Sequence, residues 1–62
     1  MIKQGDILEM RDGRAYEVLS GYTDSLVKGD LLIIEVDLDN NRIGQLIDFK
    51  IDASTPIMDI IR

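Results

Sequence analysis

The chain has 62 residues, 45% of them apolar, and a net charge of −5 at neutral pH. It is one domain at most, and a chain this short buries only about 60% of the surface that its unfolded form exposes. It has no cysteine and no histidine, which leaves no disulfide staple, no thiolate–imidazole zinc set and no Cys–His or Ser–His pair for nucleophilic catalysis.

The first element is a hairpin. Ile7, Leu8 and Met10 alternate as a strand does, Tyr16, Val18 and Leu19 form the return, and Asp12-Gly13 supplies the turn. Ser20–Asp30 is punctuated by Gly21, Thr23, Asp24, Ser25 and Gly29. It reads as a connecting loop of about ten residues, long enough to be a candidate functional loop, with Leu26 and Val27 as anchors.

The second hairpin runs through "LLIIEVDL" and "RIGQLIDFKID". Leu32, Ile34, Val36 and Leu38 share one face of its first strand, with Ile33, Glu35 and Asp37 opposite. Ile43, Gln45, Ile47, Phe49 and Ile51 share a face of its second, with Leu46, Asp48, Lys50 and Asp52 opposite. The expected core is Leu32, Ile34, Val36, Ile43, Ile47 and Phe49, joined by Leu8, Met10, Val18 and Leu19. Glu35 and Asp37 would then face solvent beside Asp48 and Lys50, in reach of a cross-strand acid–lysine pair. A fully buried Phe49 would cost ~3–5 kcal/mol on truncation to alanine. Gly44 inside the strand signals a bulge or kink.

"ASTPIMDIIR" breaks the period-two pattern. Ser54 or Thr55 can cap a helix, Pro56 suits the first helical position, and Ile57, Ile60 and Ile61 fall at i, i+3 and i+4. The expected fold is mainly β: a small antiparallel SH3-like β-barrel of four to five strands with a short C-terminal helical turn. Ser25–Val27 or Thr55–Met58 would supply the fifth strand. Residues 1–53 form the barrel, and 54–62 are an apolar tail or helical turn packed on the barrel or on a partner.

The stretch "VDLDNN" holds oxygen ligands in quantity. From Asp37, the residues Asp39, Asn41, Ile43, Gln45 and Asp48 fall at the ligand positions of a calcium loop. Arg42 stands where that loop needs glycine, and Asp48 where it needs a bidentate glutamate. The flanks alternate as strands rather than helices. The stretch therefore reads as a turn at Asp39-Asn40-Asn41, and no metal or other cofactor is expected.

Other chemistry is sparse. Glu9 and Glu17 lie on facing strands as solvated acids. The seven Lys and Arg are scattered singly, which disfavours a phosphate-binding surface. Tyr16 and Tyr22 with Arg11 and Arg14 make a minimal stacking platform. The start, Met1–Asp6, lacks the basic head and apolar stretch of a secretory signal, and the longest apolar run, Leu31–Ile34, is far short of the ~20 residues of a membrane span. A cytoplasmic location without membrane attachment is expected.

Gly5-Asp6-Ile7, Asp12-Gly13-Arg14-Ala15-Tyr16, Val36-Asp37-Leu38-Asp39-Asn40 and Phe49 together resemble a loose group of small proteins of low-GC Gram-positive bacteria and their phages. The resemblance covers residues 2 to 52, and it implies a small β-barrel of phage or prophage origin. The third strand lacks the tyrosine of that pattern.

The expectation for function is a small non-catalytic module that docks on another protein or on a second copy of itself. Its contact residues would be Ile57, Met58, Ile60, Ile61, Tyr22 and Leu26. Four apolar side chains so close together in the tail must either plug the barrel or meet a partner. The alternative is a nucleic-acid-binding barrel using the Asp12–Tyr16 hairpin and the Ser20–Asp30 loop.

Overall fold

The computed structural model describes the backbone of all 62 residues and every side chain except that of Met58. Five strands follow one another: β1 (Ile7–Met10), β2 (Ala15–Thr23), β3 (Gly29–Val36), β4 (Arg42–Ile51) and β5 (Ile57–Ile61). They form one antiparallel sheet in the order β4-β3-β2-β1-β5.

Three of the four connections are the same turn. Its first residue donates to the carbonyl four residues on: Met10 to Arg14 at 2.8 Å, Asp24 to Lys28 at 3.0 Å, Asp37 to Asn41 at 2.9 Å. The fourth residue of each turn is left-handed, with φ of 89° at Gly13, 58° at Val27 and 61° at Asn40. Glycine and asparagine suit that conformation, while a β-branched residue is an outlier there. Val27 is held in it by half-burial against the core.

"VDLDNN" is therefore a turn, as its flanks require. The Asp37 carboxylate accepts the N–H groups of Asp39 and Asn41, both at 2.9 Å, and β4 continues as strand through Ile43, Ile47 and Phe49. The expected Ser20–Asp30 loop is mostly strand. β2 runs on to Thr23 and β3 begins at Gly29, so the connection shrinks to Asp24–Lys28. The glycines that read as punctuation allow close strand approach instead: a Cβ on Gly21 would strike the Asp30 carbonyl, and one on Gly29 the Tyr22 carbonyl.

The expected SH3-like barrel and its helical turn are both overturned. β4 and β5 are the two ends of the sheet and do not pair, so the sheet is curled but open. Among the described residues there is no helix. The segment expected to coil is β5, antiparallel to β1 with Ile7 opposite Ile61 and Leu8 opposite Ile60. β1 would otherwise present unpaired backbone groups along its outer side, and the β-branched isoleucines fit a strand better than one helical turn. The would-be caps serve a turn: Asp52 Oδ1 accepts from the Ser54 N–H at 2.9 Å and hydroxyl at 2.6 Å.

The core lies on the concave side: Ile2, Leu8, Val18, Leu31, Ile33 and Ile51 are buried together, with Met10, Tyr16, Phe49, Ile57 and Ile60 packed around them. Leu32, Ile34 and Val36 do share a face, but it is the convex one. Of the three only Val36 is buried, while Ile43 and Ile47 are exposed and Phe49 and Leu19 half-buried. Both faces of β3 are apolar, so the strand's own pattern cannot choose between them. Its neighbours decide: Ile33 lies between Val18 and Ile47. Arg42, opposite Val36, reaches across β3 to Glu17, opposite Ile34, which covers the convex face there. Lys50 sits opposite Asp30, not beside Glu35 or Asp37.

Ile2 was not foreseen in the core. The Thr23 hydroxyl accepts the Ile2 N–H at 2.8 Å, and the Thr23 N–H donates to the Ile2 carbonyl at 2.9 Å. Arg62 closes the same corner, donating to the Met1 carbonyl and standing 3.6 Å from the buried carboxylate of Asp6. Half-burial of Phe49 lowers the expected cost of Phe49→Ala to about 1–2 kcal/mol. Urea unfolding tests this, and a loss of 4 kcal/mol or more, on the order of a full core truncation, would mean that Phe49 is a central core residue.

Candidate functional site

A curled sheet with two unpaired ends has a seam, and the seam is the most distinctive surface of this molecule. One wall is β4, contributing Ile47 and Phe49. The floor is Ile33 and Tyr16. The far wall is Met10, Arg11 and Asp12 from the first turn, with Thr55 and Pro56 from the approach to β5. The cleft so enclosed has a volume of about 430 Å³. Its lining is mainly apolar because these side chains belong to the core face and extend past the point where the core ends.

Local sequence sets each wall. Period-two alternation puts Ile47 and Phe49 on one side of β4, opposite Ile33 and Leu31. The pairing of β3 with β4 slips between Ile34 and Glu35, leaving Gly44 and Gln45 unpaired, with Gly44 at φ 80°. That irregularity is the bulge expected at Gly44. Beyond it, Leu46–Ile51 is a regular strand paired on one side only. Pro56 has no N–H to offer across the gap, and the bond from the Ile57 N–H to the Thr55 carbonyl, at 2.8 Å, folds the chain tightly around it.

The electrostatics of the sheet lie mostly on the convex side. Arg42 grips Glu17 through two bonds, Nε to Oε1 at 3.0 Å and Nη2 to Oε2 at 3.1 Å. That grip holds the Glu17 carboxyl below the usual carboxylate range, against a smaller opposing effect of burial. Glu9 is on the same face but stands opposite Asp59 of β5. The Asn41 N–H lowers Asp37, and the Ser54 hydroxyl lowers Asp52. The neighbouring Tyr16 hydroxyl raises the Arg14 guanidinium.

A pH dependence follows from the three lowered carboxylates. Their folded pKa values lie below the unfolded values of about 3.9–4.3. Their stabilisation is thus complete above that range and is lost as pH falls through the folded values. The Glu17–Arg42 pair lies at the surface, where solvent screens it, so its share of this dependence is small. Urea midpoints are expected to be level between about pH 7 and 5 and to drop below about pH 4. Midpoints that rise on acidification would contradict the sign.

The residues expected to bind a partner are dispersed. Ile57 and Ile60 face inward and pack on the core, sharing a recess with Val27. Ile61 is 45% exposed on the convex side, opposite Ile7. Tyr22 and Leu26 are exposed, the first opposite Asp30 and the second at the tip of the Asp24–Lys28 turn. Met58 is in β5, and its side chain lies outside the described residues. Tyr16 and Tyr22 emerge on opposite faces of β2, because the pairing with β3 slips at Leu19, so they do not form one stacking platform.

Ile47 and Phe49 were legible as a face of β4 but not as the wall of a cleft. That role depends on strand order, which the pairing of β5 with β1 decides. No family model, curated protein or solved structure matches this chain, so the resemblance to small Gram-positive and phage proteins gains no support, and neither a phage origin nor a cytoplasmic location follows. Among the described residues no helix is long and apolar enough to cross a membrane.

Proposed function

We propose that this chain is a small non-catalytic protein-binding module that accepts an extended polypeptide segment along the free edge of β4. The observation that carries the reading is the coincidence of two features at the seam. Leu46–Ile51 is paired on one side only, so half of its backbone donors and acceptors point away from the sheet. Directly beside it lies the apolar cleft, where Ile47 is 39% exposed. Strand addition uses this combination: main-chain hydrogen bonds supply affinity, and a groove receives alternate side chains. β5 is a poorer edge, because it is short and begins directly after Pro56.

The test is site-directed cross-linking. A photoreactive residue replaces the exposed Gln45 next to the free edge, and in a separate protein replaces Ser25 on the Asp24–Lys28 turn. After irradiation in a lysate of cells that also make the untagged chain, position 45 is expected to yield an adduct of discrete mass and position 25 none. Adding Ile47→Lys, which puts a charge into the cleft, is expected to abolish the adduct. No adduct from position 45, or equal adducts from both positions, overturns the reading.

A further inference from the structure

The chemistry of the free edge itself names a partner. Within Leu46–Ile51, Asp48 and Lys50 flank Phe49 and share the convex face, while Ile47, Phe49 and Ile51 share the concave one. Such a strand is complementary to itself run backwards. Laid antiparallel about Phe49, two copies set each Asp48 opposite the other's Lys50, twice by symmetry. Phe49 then meets Phe49, and each Ile47 meets the other's Ile51. Opposite charges directly across a strand pair stabilise it, and like charges destabilise it.

We propose that the segment β4 accepts is β4 of a second copy, in this antiparallel register, joining two five-stranded sheets across a two-fold axis. The inference rests on the docking reading above and specifies its occupant. Two features of the fold limit the joint to this stretch. On one side is the irregularity at Gly44 and Gln45, and on the other the turn that Asp52 closes with Ser54. An interface of one strand pair and its flanking side chains is smaller than the ~1,200 Å² at which stable complexes begin. The chains also carry a net charge of −5 each, and like net charges repel. The dimer is therefore weak and exchanges with monomer.

Sedimentation equilibrium of the full chain, from micromolar to millimolar, is the experiment. The mean mass is expected to climb from one chain toward two, and amide shifts on dilution to move most over residues 46–51. Asp48→Lys and Lys50→Asp, each alone, set like charges against each other at both symmetric positions and are expected to weaken association about tenfold. The double exchange restores opposite charges and is expected to recover the native constant within about threefold. Lys50 also faces Asp30 within its own sheet. Urea unfolding at dilution separates loss of fold from loss of pairing, and Asp48→Lys, opposite Leu32, is the variant less exposed to that ambiguity. A chain that stays monomeric at every concentration overturns self-pairing; an adduct to a different protein at position 45 would then leave edge docking standing with another occupant. A dimer indifferent to either single exchange, or not rescued by the double one, overturns the register.

Discussion

Ile33→Ala is expected to remove roughly half of the chain's stability at room temperature. Ile33 is 1% exposed and lies between Val18 of β2 and Ile47 of β4. Truncating a buried isoleucine costs about 2–5 kcal/mol, because transfer energy is lost and a cavity remains. A domain of 62 residues has roughly 3–9 kcal/mol in total, so one such loss takes about half of it. The neighbouring Ile34→Ala points to the convex face, where the side chain is half-buried, and is expected to cost only about 1 kcal/mol. The pair tests which face of β3 holds the core. Equal losses in urea unfolding, or a larger loss at Ile34, would return the core to the face that alternation with Glu35 and Asp37 suggested.

Gly21→Ala is expected to be nearly as damaging, for a different reason. Gly21 has φ 89°, and its missing Cβ points at the Asp30 carbonyl oxygen, with the Leu31 Cα 3.1 Å from where a methyl would stand. An L-residue at positive φ costs about 1–2 kcal/mol, and forcing an atom into packed backbone adds about 1–3 kcal/mol. Gly13 has the same φ of 89° but open space around it, so Gly13→Ala should carry the conformational part alone. Denaturation of both proteins separates the two contributions. A Gly21→Ala protein no weaker than Gly13→Ala would show that the strands can part at that point without penalty.

Much of the fold could be read from local signals. Asp12-Gly13, the alternation in β4 and the turn at Asp39-Asn40-Asn41 each concern residues close in sequence, and each appears. The failures share a cause: they concern which element lies beside which. β3 is apolar on both faces, so its inner face is fixed by Val18 and Ile47 rather than by its own pattern. The spacing of Ile57, Ile60 and Ile61 suits one helical turn, but their β-branched side chains and the empty side of β1 decide for a strand. Gly21 and Gly29 looked like breaks because glycine serves both loops and close strand approach. The residues of the cleft wall were visible, but their exposure was not, since it depends on a seam between β4 and β5 that no local pattern encodes.

The repeated turn has a consequence in time. Each of its three copies joins strands adjacent in the chain, and such hairpins form in roughly 1–10 μs. β1, β2, β3 and β4 can thus assemble with small loop-closure cost before β5 has met β1. Pairing of β5 with β1 is different, because it brings Ile61 to Ile7 across nearly the whole sequence. It is expected to come last on folding and to go first on unfolding. Stopped-flow measurements on Ile60→Ala should then show faster unfolding with an almost unchanged refolding rate, the behaviour of a contact formed after the transition state; slowed refolding would place β5 in the nucleus. A chain built this way is expected to pass first through a four-stranded meander whose open side along β1 still lacks β5.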